Sequence, residues 1–149
     1  MKRLDKTIVF FLAAVFLWSG IDKILHYQGF LNALRDYVIL PKGSAFLLAI
    51  PVIACELVIG LGLLLRPWRR AACLAGAVLL SIFTAVLTLN HAFGGRGICG
   101  CWFTVTLARG TVSHIAQNLI MAALALSVWW SLKQEEKPVP VVPDASATA

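Results

Sequence analysis

The run FLLAIPVIACELVIGLGLLL, residues 46–65, contains one charged side chain, that of Glu56. A helix that crosses the hydrocarbon layer of a membrane requires about 20 mostly apolar residues. The run has this length, and its apolar residues are continuous rather than alternating with polar ones, which argues against a half-buried strand. Residues 46–65 are therefore predicted to form a transmembrane helix.

Three similar runs lie on either side of this segment, at residues 7–25, 71–89 and 112–132. The whole chain is 60% hydrophobic and 13% charged, whereas soluble domains have about 45–50% apolar and about 25% charged residues. We therefore expect an all-α integral membrane protein in which residues 1–136 form one four-transmembrane-helix bundle.

The basic residues Lys2 and Arg3 precede the first run, and a signal peptide also has a basic segment before its apolar core. Its apolar core ends in Phe16-Leu17-Trp18, and no small-x-small cleavage site lies nearby. The run is therefore predicted to be a retained helix.

The net charge of +6 comes from basic residues clustered beside the apolar runs, which is typical of membrane flanks and not of a nucleic-acid-binding surface. Eight cations lie on the side of the termini and of the short link that holds Arg66, Arg69 and Arg70, against five on the other side. The positive-inside rule therefore predicts that both termini are cytoplasmic. The expected location is the bacterial inner membrane, which the chain would cross several times. Residues 137–149, rich in Pro, Ala and small polar residues, are predicted to be a disordered cytoplasmic tail.

The first outward loop, residues 26–45, contains apolar side chains at helical spacing. This spacing predicts a short amphipathic helix that lies on the membrane. Pro41 and Gly43 follow and are expected to end that helix. The spaced residues are Phe30, Leu34, Tyr37 and Val38.

The second outward loop, residues 90–111, contains Cys99-Gly100-Cys101. Residues two apart in an extended chain lie about 6.6 Å apart, near the upper limit of about 6.8 Å between the Cα atoms of a disulfide. Gly100 permits the bend that brings the sulfurs together, and a strained, exposed disulfide is the labile kind. Arg96 is expected to favour the reactive thiolate. A purely structural disulfide would add little, because this one closes almost no loop.

Two histidines, His91 and His114, flank the cysteine loop. With Cys99 and Cys101 they could form a sulfur and nitrogen site for copper(I) or zinc. They could instead transfer protons in a redox reaction, or be polar caps at the membrane interface. His26 is interpreted as such a cap.

Two further cysteines lie within the predicted spans. Cys55 falls in the second span and Cys73 in the third. Cysteines in such positions usually behave as small hydrophobic side chains, so neither is expected to pair.

Glu56 falls near the middle of the second span. A carboxylate there is costly unless it is paired, protonated or hydrated, which makes it a functional candidate. It is expected either to pair with Lys23 or an amide of the last helix, or to take up a proton in a quinone-type reaction. Gln117 and Asn118 can hydrogen-bond between helices. The candidate catalytic residues are thus Cys99, Cys101, Glu56 and Arg96, and the candidate cofactor-binding residues are His91, His114 and Asn118.

The order of these motifs resembles the MauE family, which is related to the DoxX-like membrane proteins. The resemblance implies a four-helix membrane protein that works with a periplasmic thioredoxin-like partner and, in methylamine utilisation, serves the maturation of a disulfide-rich dehydrogenase subunit. Trp102 and Phe103 depart from the usual Cys-Gly-Cys-Phe-Gly form. The resemblance is carried by Ser19-Gly20-x-x-Lys23, Tyr37-Val38-Ile39-Leu40-Pro41, Glu56-Leu57-x-x-Gly60, Cys99-Gly100-Cys101 and Asn118-Leu119.

Three functions are consistent with the sequence. The favoured one is a membrane thiol–disulfide redox protein that passes electrons to a quinone or another membrane carrier. The second is a metal-handling protein that uses Cys99, Cys101 and the histidines. The third is a non-enzymatic assembly subunit whose loop disulfide only maintains shape.

Overall fold

The computed structural model describes residues 3–38, 40–41, 43–94 and 111–135. All regular secondary structure in this part of the chain is helical and no strand is present, which confirms the predicted all-α fold class. Four helices are long and apolar enough to cross a membrane. The helices are α1 (Arg3–Leu25), α2 (Tyr27–Arg35), α3 (Ser44–Leu64), α4 (Arg69–Ala92) and α5 (Thr111–Glu135).

The outer surface of the long helices is apolar. Leu47 and Val58 of α3 are 72% and 68% exposed, and no more than a third of each spanning segment is buried inside the protein. Such a surface would be unstable in water but matches the hydrocarbon of a bilayer. The chain is therefore a multi-pass membrane protein.

The four long helices form a ring in which α1 packs on α3, α3 on α4, α4 on α5 and α5 on α1. Glycines permit the close approach of α1 and α3. A Cβ atom at Gly20 would lie 2.8 Å from Leu57 Cδ2, and one at Gly60 would lie 2.7 Å from Leu17 Cγ. Small residues commonly permit such close helix packing in membranes. The predicted boundary between residues 136 and 137, and the tail beyond it, lie outside the described residues.

The predicted amphipathic helix is present as α2, but its apolar side packs on protein. Phe30 and Leu31 are buried against Ala45, Ala49 and Ile53 of α3. The helix ends at Arg35, so the expectation that Pro41 and Gly43 end it is wrong.

The chain leaves the helix early because Tyr37 is buried against Leu87 of α4, and the Val38 N–H donates to Asn90 Oδ1 at 2.9 Å. Gly43, with φ of 96°, instead precedes α3.

Candidate functional site

The predicted redox residues Arg96, Cys99 and Cys101 lie outside the described residues, so their roles stay predictions. Their place in the topology is nevertheless defined by the flanking helices, because they follow the end of α4 at Ala92 and precede the start of α5 at Thr111. The connection that holds the cysteines therefore joins the bundle at the same end as α2. We call this the outward end, and the opposite one, with both termini and the α3–α4 link, the terminal end.

Lys23 and Glu56 form a buried ion pair between α1 and α3. The Lys23 Nζ atom donates to both carboxylate oxygens of Glu56 at 2.9 Å and to Ser19 Oγ at 2.6 Å. It also lies 5.4 Å from the centre of the Phe30 ring. An ammonium group has three protons to donate, and these three oxygens provide an acceptor for each of them. The expected pairing of Glu56 with Lys23 is thus present, while a part for Glu56 in proton transfer stays a prediction.

The local sequence explains how the pair forms. Ser19 and Lys23 are four residues apart and share one face of α1. Gly20 on that helix and Gly60, one turn after Glu56 on α3, are the positions where the two helices approach most closely. The motifs that support the family resemblance, Ser19-Gly20-x-x-Lys23 and Glu56-Leu57-x-x-Gly60, therefore build one buried contact.

A small cavity of about 20 Å³ adjoins the ion pair. Its polar lining comes from Ser19 and Glu56, and the remainder is apolar and includes Leu80 and Met121. This volume corresponds to about one water molecule and does not accommodate a quinone ring.

The outward end contains a second group of buried polar side chains, Asn90 of α4 with His114 and Asn118 of α5. They are 1%, 3% and 0% exposed, respectively. Neither ring nitrogen of His114 has a hydrogen-bond partner among the described residues, and Asn118 lies one turn further along the same face of α5. Buried polar groups normally find partners, so His114 offers hydrogen-bonding capacity at the base of the cysteine connection.

The structure distinguishes the two histidines that flank the cysteine connection. His91 is exposed at the last turn of α4, whereas His114 is buried in α5. Sequence reasoning did not single out Asn90, although an asparagine in the last turn of an apolar helix is a signal that could have revealed it.

The structure also describes His26 and the two cysteines of the spanning helices. His26 is exposed, and its Nδ1 atom lies 3.0 Å from Asp22 Oδ1, in keeping with a surface cap. Cys55 is exposed on α3 and Cys73 is buried in α4, and both are free thiols. Within the described ranges, no three His, Cys, Asp or Glu side chains are grouped to hold a metal ion.

The family model for "Methylamine utilisation protein MauE" matches residues 1–131. The chain belongs to the MauE family. The match covers the ion pair, the cysteine connection and nearly all of α5, so the resemblance inferred from the sequence motifs is confirmed. No solved structure shows a significant match.

Two relatives named "Methylamine utilization protein MauE" are similar to this member of the MauE family. The one from Paracoccus denitrificans is 29% identical over 119 residues, which are 79% of this chain and 64% of the relative. The one from Paracoccus versutus is 29% identical over 117 residues, or 78% and 63% of the two chains. The chain thus spans slightly less than two thirds of the length of either relative.

Proposed function

We propose that this MauE family member is a thiol–disulfide redox protein of the bacterial inner membrane that acts with a periplasmic thioredoxin-like partner through Cys99 and Cys101. The observation that carries the proposal is the buried His114 beneath the cysteine connection, with no hydrogen-bond partner for either ring nitrogen among the described residues. A buried polar group without a partner is costly, so His114 is expected to take a partner outside the described part of the bundle, and a histidine can exchange protons near neutral pH.

In the direction that oxidises a reduced partner, the proposed exchange proceeds in two steps. A partner thiolate attacks one sulfur of the Cys99–Cys101 disulfide, which forms a mixed disulfide and releases the other cysteine as a thiolate. The second partner thiolate then attacks the partner sulfur of the mixed disulfide, which forms the partner disulfide and releases the second cysteine. The chain thereby gains two electrons and, after protonation of both thiolates, two protons. The same steps in reverse would reduce the partner.

A membrane quinone is the proposed acceptor that reoxidises the pair. A quinone supplies two-electron, two-proton redox chemistry within the bilayer. His114 and Asn118 are the residues proposed to hold it, because both are buried polar side chains on one face of α5 and an N–H group can donate to a quinone carbonyl.

The names of the relatives suggest a biological setting. Both Paracoccus proteins are named for methylamine utilisation. We propose that the present chain supports maturation of an exported, disulfide-containing protein of the methylamine dehydrogenase type. This role requires the cysteines to lie outside the cytoplasm, where disulfides persist.

Trapping of the mixed disulfide tests the exchange. Single variants Cys99→Ser and Cys101→Ser, expressed in cells, should accumulate a covalent complex with a thioredoxin-like protein that disappears on reduction. Cys55→Ser is the matched control and should form no complex. Stoichiometric bound metal that is lost in Cys99→Ser would instead identify a metal-handling protein. Normal maturation in the double serine variant would identify an assembly subunit.

Labelling tests the proposed orientation. In intact cells treated with a mild reductant, a membrane-impermeant maleimide should modify Cys99 and Cys101 but not the buried Cys73. Modification of the pair only after the inner membrane has been permeabilised would place the loop in the cytoplasm and contradict the proposed site of action.

A further inference from the structure

The terminal end of the bundle contains an open pocket of about 610 Å³ where α1, the α3–α4 link and α5 meet. Three of its lining residues are basic, namely Lys6, Arg66 and Arg69, and none of the lining residues is acidic. Its other lining residues are Val9, Phe10, Leu64 and Leu132.

One cation of the pocket is held in a defined position. The Arg69 side chain donates from Nε to the carbonyl oxygen of Leu63 at 2.9 Å and from a terminal nitrogen to that of Leu64 at 3.3 Å. These are carbonyls from the last turn of α3, which have no partner within the helix. The guanidinium group is therefore fixed at the mouth of the pocket, and the exposed Lys6 and Arg66 lie beside it.

The apolar wall of the pocket is continuous with the lipid-facing surface. Phe10 and Leu64 are 64% and 40% exposed on the outer sides of α1 and α3. A ligand that satisfies both parts of the pocket must carry a negative charge at one end and hydrocarbon at the other. A soluble anion would leave the apolar wall uncovered, and a neutral lipid would not use the cations.

We infer that this pocket binds the headgroup of an anionic phospholipid, with an acyl chain along Phe10 and Leu64. Basic pockets between membrane helices favour anionic headgroups, and the phosphate accepts hydrogen bonds from Arg and Lys side chains. The site is independent of the cysteines, because it lies at the opposite end of the bundle.

Native mass spectrometry of the full chain in detergent, titrated with phosphatidylglycerol, tests the inference. One phosphatidylglycerol should be retained in preference to phosphatidylcholine with the same acyl chains. Lys6→Gln/Arg66→Gln should bind it about 25-fold more weakly, from roughly fivefold for each charge removed. Arg69 is left intact because it caps α3.

Lys133→Gln is the matched control. Lys133 is a cation of the same end, but it lies over the rings of Trp129 and Trp130 and is not part of the pocket lining. This variant should retain the affinity of the parent protein. Equal weakening by Lys133→Gln, equal binding of the two lipids, or displacement of the lipid by millimolar inorganic phosphate would overturn the inference. If the double variant does not fold, Arg66→Gln alone, in the link, should still show the roughly fivefold loss.

Discussion

The Lys23 ammonium lies 2.9 Å from both carboxylate oxygens of Glu56, and the two side chains are 1% and 3% exposed. The pair joins α1 to α3 in a region where water is scarce. Two opposite charges in such a place are tolerated because each satisfies the other, whereas either one alone would be strongly unfavourable.

Removal of one partner should therefore destabilise the bundle more than removal of both. Glu56→Gln leaves the Lys23 charge uncompensated and is expected to lower the free energy of unfolding by about 3–5 kcal/mol. Lys23→Met/Glu56→Met removes both charges at similar volume and should recover most of that loss. Denaturant unfolding in detergent micelles measures both values.

The double variant also separates the structural role of Glu56 from a chemical one. If the pair is structural, the double methionine variant should exchange disulfides at the parental rate. A folded double variant that is inactive would instead indicate a chemical role for the pair, for which proton transfer by Glu56 is the candidate. Destabilisation of the double variant by as much as Glu56→Gln or more would contradict the ion-pair account.

Gly60→Ala should weaken the packing of α1 on α3. The new methyl group would lie 2.7 Å from Leu17 Cγ and 3.1 Å from the backbone nitrogen of Leu17, and that backbone cannot move aside without moving α1. Overpacking of this kind costs about 1–3 kcal/mol.

Thermal unfolding of Gly60→Ala and Gly29→Ala provides the comparison. No atom lies within 4 Å of a Cβ added at Gly29 of α2, so that change should stabilise the helix by about 0.5–1 kcal/mol. If both variants shift the melting temperature in the same direction, the effect of Gly60→Ala does not arise from close packing of α1 on α3.

Asn90→Ala should loosen the attachment of the first outward loop to α4. The Asn90 side chain accepts the Val38 N–H at 2.9 Å, and its loss leaves a partly buried donor unpaired at a cost of about 1–3 kcal/mol. Hydrogen exchange at Val38 should become faster, as measured by mass spectrometry of peptides from the loop.

Asn32→Ala is the control for this change, because the Asn32 side chain is exposed on the surface of α2, where it accepts a 3.3 Å hydrogen bond from Arg35. It should leave exchange at Val38 unchanged. Equal acceleration in the two variants would indicate a general loosening of the loop rather than loss of one hydrogen bond.

His114→Phe should slow the reoxidation of the reduced cysteine pair by added quinone. Phenylalanine keeps a ring of similar shape but has no hydrogen-bonding nitrogen, and loss of one such bond corresponds to about tenfold in rate. Stopped-flow measurement of quinone reduction gives the rate, while exchange with the thioredoxin-like partner should be unaffected.

His91→Phe is the matched variant for this experiment, because His91 is exposed on α4. Its reoxidation rate should equal that of the parent protein. Slow reoxidation in His91→Phe together with the parental rate in His114→Phe would assign the role to His91. This result would contradict the proposed quinone site.

The architecture was predictable because membrane insertion depends on properties that are local in the chain. Four apolar runs of sufficient length, and the need to satisfy every backbone hydrogen bond within lipid, specify helices before any packing is known. The amphipathic spacing around Phe30 likewise predicted α2, and the order of the motifs indicated the family. The end of α2 was missed because it depends on Tyr37 and Val38 contacting α4, which is distant in sequence.

The candidate site was less predictable from the sequence, because it depends on contacts between residues that are distant in the chain. From the sequence, Glu56 had several plausible partners, and His91 and His114 were equivalent. Only the packing of α1 on α3 through Gly20 and Gly60 selects Lys23 as the partner, and only the rotation of α4 and α5 buries His114 while it exposes His91. Hydropathy is a sum over neighbouring residues, so the sequence specifies the spanning segments directly. The Lys23–Glu56 pair joins residues 33 apart in the chain, so it forms only when whole helices pack against each other.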